Sequence, residues 1–257
     1  MLFNSLFLLI LKSRCAAWFK ADVLQAENHG SVSVLPEILV DKDKYYSKES
    51  TTAIHKFGER AKTCILAACK ALMDAESQLT EWDTIVGDGD CGLTMARGAM
   101  QVHNDVLDQV IDVDSPCLLF KGLADSVSKS MGGTSGILFE IMLRRASTLL
   151  ADHVVVDENS LTCAFIGAVR AGSYYGGAKL GYRTMMDALL PAAEACEAGV
   201  DFIGIANAAC KGAYSTANMT SALAGRSNYL SEEQIKGTPD PGAKAVAIIL
   251  SAAANAL

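Results

Sequence analysis

The segment Asp83-Thr-Ile-Val-Gly-Asp88-Gly-Asp90-Cys-Gly92 places three carboxylates and three glycines within ten residues, directly before an apolar, helix-like stretch. Short acidic side chains on a sharply turning backbone can converge on one hard cation. Magnesium takes one or more carboxylates and keeps positions for phosphate oxygens and water. Clustered carboxylates repel one another and hold their protons more tightly unless a cation neutralises them, and a bound divalent metal resolves that conflict. Asp83, Asp88 and Asp90 are therefore candidate metal ligands. An acidic surface turn is the plain alternative, because Asp and Gly favour turns for local reasons.

Two other readings of this segment fail on their own terms. In an EF-hand counted from Asp88, the fifth and twelfth positions are Gly92 and Ala99, which lack the required oxygen ligands. Gly87-Asp-Gly89-Asp-Cys-Gly92 matches G-x-G-x-x-G, but two carboxylates would stand beside the pyrophosphate and no βαβ pattern surrounds it.

Residues C-terminal to the aspartates suggest phosphate chemistry. Gly92-Leu93-Thr94 opens a helix, where free backbone N–H groups and the positive helix end can hold a phosphate next to a metal on the aspartates. Met131-Gly-Gly-Thr-Ser-Gly136 has the same character: consecutive N–H groups form an anion nest, and the Thr134 and Ser135 hydroxyls add donors. A structural turn remains the rival for this loop, and no G-x-x-x-x-G-K-[ST] motif is present. Gly176-Gly-Ala-Lys-Leu-Gly181-Tyr-Arg-Thr184-Met185 offers a turn followed by thioether and apolar groups suited to a flat adenine face, or else to a core. Arg226 could pair with phosphate, and Asp240-Pro241-Gly242 opens the last helix with an acceptor and a tight turn.

The elements that must position these groups are helical. Ile54, Phe57, Ala61, Ile65, Ala68 and Leu72 recur at three- and four-residue steps, the stripe of an amphipathic helix over 52–76. Comparable stripes follow Gly92, run over 116–130, follow Gly136, and run over 159–172, 183–198, 201–222 and 240–256. The expected fold is all-α, about eight helices with short connections and no alternating strand pairs. Glycine and serine clusters interrupt them at 87–92, 132–136, 172–181, 225–227 and 237–242. If consecutive helices run antiparallel, the junctions at 87–92, 132–136, 176–181 and 225–242 share one end, where an all-helical fold builds a site from loops.

A formal charge of −7 with no basic stripe argues against a nucleic-acid partner. The eight cysteines are scattered among small apolar residues without a C-x-x-C pair, which reads as core packing in a reducing compartment, and cytoplasmic localisation is expected. His29, His55, His103 and His153 sit in unlike contexts and form no metal or triad motif. The apolar run Leu6–Leu11 is too short to span a bilayer and poor as a signal peptide. Residues 1–50 read as an N-terminal extension and linker, and 51–257 as the domain.

Taken in order, GDGDCG, MGGTSG, GYRTMMDALLPA, GRSNYL and DPGA resemble the nucleotide-binding L domain of the dihydroxyacetone (glycerone) kinase family over about residues 51–257. The resemblance implies a barrel of eight antiparallel amphipathic helices with the nucleotide on one rim. It implies magnesium (Mg2+) on Asp83, Asp88 and Asp90, and ATP contacts from Cys91, Gly92, Leu93, Thr94, Thr134, Ser135, Gly176, Thr184, Met185, Arg226, Asp240, Pro241 and Gly242. Family forms that hold ADP as a coenzyme rephosphorylated by a phosphotransferase tend to read GDADHG; Gly89 and Cys91 here are closer to the ATP-dependent type. Such enzymes normally carry a K domain that holds the ketone covalently on a histidine, and residues 1–50 are too short to supply one.

The expected reaction is in-line transfer of the γ-phosphoryl group to a hydroxyl of dihydroxyacetone or a similar triose, driven by positioning and charge neutralisation and needing no general base from this chain. The competing expectations are a nucleotide-loaded subunit without turnover of its own, a helical scaffold that has lost activity, and a flavin-dinucleotide cyclase. A homodimer is compatible with all of them.

Overall fold

Apolar residues at helical spacing produce helices throughout the computed structural model, which describes residues 56–151 and 156–257. The proposed extension over 1–50, with Cys15 and His29, lies outside the described residues, as do His55 and His153. The α-helices are α1 (Phe57–Asp74), α2 (Glu76–Val86), α3 (Cys91–Leu107), α4 (Pro116–Ser130), α5 (Gly133–Leu149), α6 (Glu158–Gly176), α7 (Met186–Glu197), α8 (Phe202–Ser215), α9 (Glu232–Ile235) and α10 (Pro241–Asn255). Two 3-10 turns, Thr216–Asn218 and Arg226–Tyr229, lie between α8 and α10. No strand occurs among the described residues.

Eight of these helices close a ring. Each packs on the next in the order α1, α3, α4, α5, α6, α7, α8, α10, and α10 packs back on α1. The expected all-α barrel is therefore the observed fold. Helix α2, which periodicity missed, stands outside the ring against α3 and α10, with α9 packed on it. Its Leu79 and Val86 are almost wholly buried, and burying one such side chain contributes about 1.5–3 kcal/mol.

The ring's interior is rich in alanine. Ala188, Ala192, Ala209, Ala213 and Ala243 are fully enclosed, and such small side chains let helix backbones approach closely. At the α7–α8 crossing a Cβ on Gly212 would overlap the Asp187 carbonyl oxygen. Pro191, four residues on, has no N–H to give that carbonyl, so the two helices approach where the ladder is already broken. One half of the core gathers α5 to α8, the other gathers α1 to α4, and α10 contributes buried residues to both. Phe57 and Phe139 pack against both.

Helix starts differ by location. Ser115, Asp157, Asp201 and Asp240 accept from backbone N–H groups in the first turns of α4, α6, α8 and α10. By contrast the N-cap residues of α3 and α5, Asp90 and Gly132, which lie in the two glycine-rich loops, make no side-chain cap bond. The described cysteines are all free, as their scatter predicted. Among the described residues no helix is long and apolar enough to cross a membrane.

Candidate nucleotide and metal site

The acidic segment is half helix and half turn. Asp83 lies in the last turn of α2 and is buried, while Asp88 and Asp90 are exposed in the turn beyond it. Gly89 adopts φ +78°, a left-handed conformation that favours glycine. This turn folds back so that Asp83 Oδ2 accepts from the N–H groups of Asp90 (2.8 Å) and Cys91 (2.9 Å). Ligand oxygens of the three aspartates then lie within 4.8 Å of one another. A Cβ on Gly92 would overlap the backbone of Glu76 and the Thr80 hydroxyl, so α3 can begin here only because that residue is glycine.

The cluster's electrostatics fit a divalent cation. Burial raises the Asp90 pKa, and the charges of Asp88 and Asp83 raise it further, while Arg226 and Arg97 act the other way. Asp90 is the N-cap of α3 yet makes no side-chain bond to that helix, which leaves its carboxylate for the cluster. Burial and the surrounding carboxylates push the Cys91 thiol up, so it stays protonated and is no nucleophile.

The phosphate donors expected from the sequence are placed unevenly. The Cys91 N–H is spent on Asp83 and that of Thr94 on the Asp90 carbonyl (2.9 Å). Gly92 and Leu93 N–H have no hydrogen-bond partner among the described residues. Thr134 and Ser135 do not sit in a free loop: α5 starts at Gly133, so they occupy its uncapped first turn. Gly133 itself has φ +67°, with open space where a Cβ would stand.

The remaining segments meet the acidic turn through a buried network that sequence reasoning missed. Arg183 is 1% exposed and sits at φ +60°, a costly conformation for a residue with a Cβ. Asp187 holds it there: its fully buried carboxylate accepts from Gly181 N–H (2.6 Å) and Thr184 N–H (2.8 Å) on either side. Arg183 donates to Ser227 Oγ (2.8 Å) and to the Thr238 carbonyl (2.7 Å), and Ser227 Oγ donates to the Val86 carbonyl (2.7 Å) at the end of α2. One guanidinium thereby ties the 181–184, 226–229 and 235–240 loops to the acidic turn. The only signals in the sequence were an Arg beside a glycine turn and an Asp in a helix's first turn.

Arg226 is exposed and pairs with Asp88 Oδ2 at 2.9 Å. Asp240 caps α10 through Ala243 N–H (2.7 Å), and its own N–H donates to Thr216 Oγ1 (2.8 Å). Its side chain is half-buried, and burial pushes its pKa up to about 7; the Ala243 N–H and Arg183 oppose that rise, and Asp187 and Asp83 add to it. Pro241 is buried at the first position of α10. Gly242 faces Met185, 3.7 Å from where its Cβ would lie. Met185 is buried in the larger half of the core. Gly176 ends α6 with Leu138 of α5 3.0 Å from its Cβ position, and Thr184 Oγ1 accepts from Met186 N–H (3.2 Å). Of the junctions expected at one end of the barrel, the 87–92, 181–184 and 225–242 segments meet through Arg183, Ser227 and Arg226, and Arg97 ties α3 to Ser130, just before the 132–136 loop.

The lineage of this arrangement is recognisable. A family model described as the DAK2 domain matches residues 85–255. The dihydroxyacetone kinase of Pichia angusta is 31% identical over 231 residues, covering 85% of this chain and 38% of that enzyme. Triokinase/FMN cyclase of Homo sapiens is 32% identical over 211 residues, covering 79% and 36%. The crystal structure of the dihydroxyacetone kinase from C. freundii in complex with AMP-PNP and Mg2+ aligns with a TM-score of 0.66 and 26% identity, over 82% of this chain and 36% of that one. The chain thus spans well under half the length of these relatives. With most of the described residues matched by one family model, the chain belongs to the dihydroxyacetone kinase family and carries its DAK2, or L-type, domain.

Proposed function

We propose that this chain binds ATP with magnesium and presents its γ-phosphoryl group to a hydroxyl of dihydroxyacetone or a similar triose, held by a substrate-binding domain elsewhere in the protein or on another chain. The observation that carries this reading is the convergence of three carboxylates, within 4.8 Å of one another, on a rim where two helices begin without a side-chain bond from their own N-cap residues. Asp83, Asp88 and Asp90 would hold the metal, which when bound would offset the negative charge of the phosphates. Gly92, Leu93, Thr134 and Ser135 would receive phosphate oxygens on N–H and hydroxyl donors. Gly176, Thr184 and Met185 would border the base, and Asp240 to Gly242 would close the far side.

In the reaction the acceptor hydroxyl oxygen forms a bond to the γ-phosphorus, the bond from that phosphorus to the β–γ bridging oxygen breaks, and ADP leaves. The hydroxyl proton passes to solvent or to a base of the substrate-binding domain, so on this reading the rim supplies no general base. Its part is to fix the phosphates in line and offset their charge. The relatives named as dihydroxyacetone kinases support the acceptor class. The human relative's name adds an FMN cyclase activity, which product analysis with a flavin dinucleotide distinguishes from triose phosphorylation.

Asp88→Asn removes one ligand charge and the Arg226 pair while leaving the buried Asp83 scaffold in place. Calorimetry should show loss of magnesium-dependent ATP binding in this variant. Affinity equal to wild type would sink the reading.

A further inference from the structure

We propose that Arg97 is the cation that grips the terminal phosphate of the nucleotide, a role that rests on the ATP reading above. Arg97 lies on the first two turns of α3, one turn past Thr94, and is exposed. Its Nε donates to the Ser130 carbonyl at 2.6 Å, an anchor reached across 33 residues of sequence. Ser130 is the last residue of α4, immediately before Met131-Gly132-Gly133. Nη2 lies 3.8 Å from the position a Cβ on Gly132 would take. On its other side Arg97 is close enough to Asp90 to act on that carboxylate. The guanidinium therefore stands at the loop that opens α5, within electrostatic range of the carboxylate cluster.

What the guanidinium does not bind is equally informative. It carries five N–H donors in a planar fork, and one is used on Ser130. Among the described residues neither Nη nitrogen makes a hydrogen bond or an ion pair. Arg226, the other cation at this rim, is paired with Asp88. The Ser130 anchor fixes the fork's orientation at its Nε, and the free Nη nitrogens match the oxygens of a tetrahedral phosphate. On the ATP reading, a phosphate beside the carboxylate cluster lies within reach of Arg97, and comparing ATP with ADP tests that the one it grips is the terminal phosphate.

The test compares ATP with ADP by calorimetry in magnesium on the full chain, for wild type, Arg97→Gln and Arg97→Lys. Loss of hydrogen bonds to a charged group should weaken ATP by about 10- to 100-fold in Arg97→Gln and ADP by much less, collapsing the preference for ATP. Arg97→Lys should recover part of that preference, since it restores the charge without the fork. An equal loss for both nucleotides, or an unchanged ATP-to-ADP ratio, would overturn the proposal, because a residue that only tethers α3 to α4 cannot tell the two apart. Should Arg97→Gln fail to fold, the same ratio in Arg97→Lys decides, an unchanged one again counting against it. Wild type that binds neither nucleotide would remove the ATP reading itself, an outcome distinct from an Arg97 variant that binds ATP normally.

Discussion

At the scale of single residues, the rim holds charges that cost stability. Asp240 is the clearest case, a half-buried carboxyl raised to about 7 by burial. Its folded-state pKa lies above its unfolded value, so between roughly pH 4 and 7 the native state binds more protons than the unfolded chain. Its contribution is therefore best at low pH and is lost as pH rises through that window. Asp240→Asn keeps an oxygen for the Ala243 N–H and removes the ionisation. Thermal melts from pH 4 to pH 8 should show the variant's midpoint pulling ahead of wild type by several degrees at the alkaline end, each kcal/mol being worth roughly 2–4 °C at this chain length. At pH 4 the difference should nearly vanish, and a gap that is the same at every pH would show that ionisation is not its source.

At the scale of elements, the loops are held in place by buried hydrogen bonds more than by apolar packing. Ser227, 5% exposed, accepts from Arg183 and donates to the Val86 carbonyl, so it fastens the 226–229 turn to the end of α2. Ser227→Ala leaves a buried carbonyl and a buried N–H without that partner, at about 1–3 kcal/mol for each such group. Urea unfolding should show a lower midpoint with an unchanged slope; a midpoint within error of wild type would mean that water replaces the hydroxyl. These elements also show what the sequence disclosed. The eight ring helices were legible because each buries one stripe against two neighbours, and that geometry demands the 3.6-residue period. Helix α2 escaped notice because it is short, with Glu76, Gln78 and Glu81 among its residues, and because its last turn carries Asp83, which reads as part of a loop. The start of α5 at Gly133 was hidden by Gly-Gly-Thr-Ser, whose local preferences favour a turn. The carboxylate cluster was visible because its members are neighbours in sequence. Arg183 was not, because Ser227 and Thr238 lie 44 and 55 residues away, and only the closed ring brings them together.

At the scale of the whole molecule, the proposed reading gives the ring one half of a phosphoryl transfer. The rim offers carboxylates, amides and guanidinium groups, all suited to a nucleotide and its metal. The resemblance to the family assigns the ketone to a histidine. Among the described residues the sole histidine is His103 of α3, its Nδ1 3.4 Å from Asn104 Oδ1. At 1.5 Å per residue it stands about 18 Å along the helix from Cys91, beyond reach of a phosphate at the helix start. The relatives are also more than twice as long as the stretch matched here. On the proposed reading, these 257 residues mixed with dihydroxyacetone, ATP and magnesium should show no triose phosphorylation above the uncatalysed background. Adding a substrate-binding domain taken from a two-domain relative should restore turnover in a coupled assay, saturably in that domain's concentration. The same addition to Asp88→Asn should restore nothing, which separates a working nucleotide rim from activity carried by the added domain. Turnover by the chain alone, at the rate reached with the added domain, would instead mean that the ketone binds within these residues, and the division of labour inferred from the rim would be wrong.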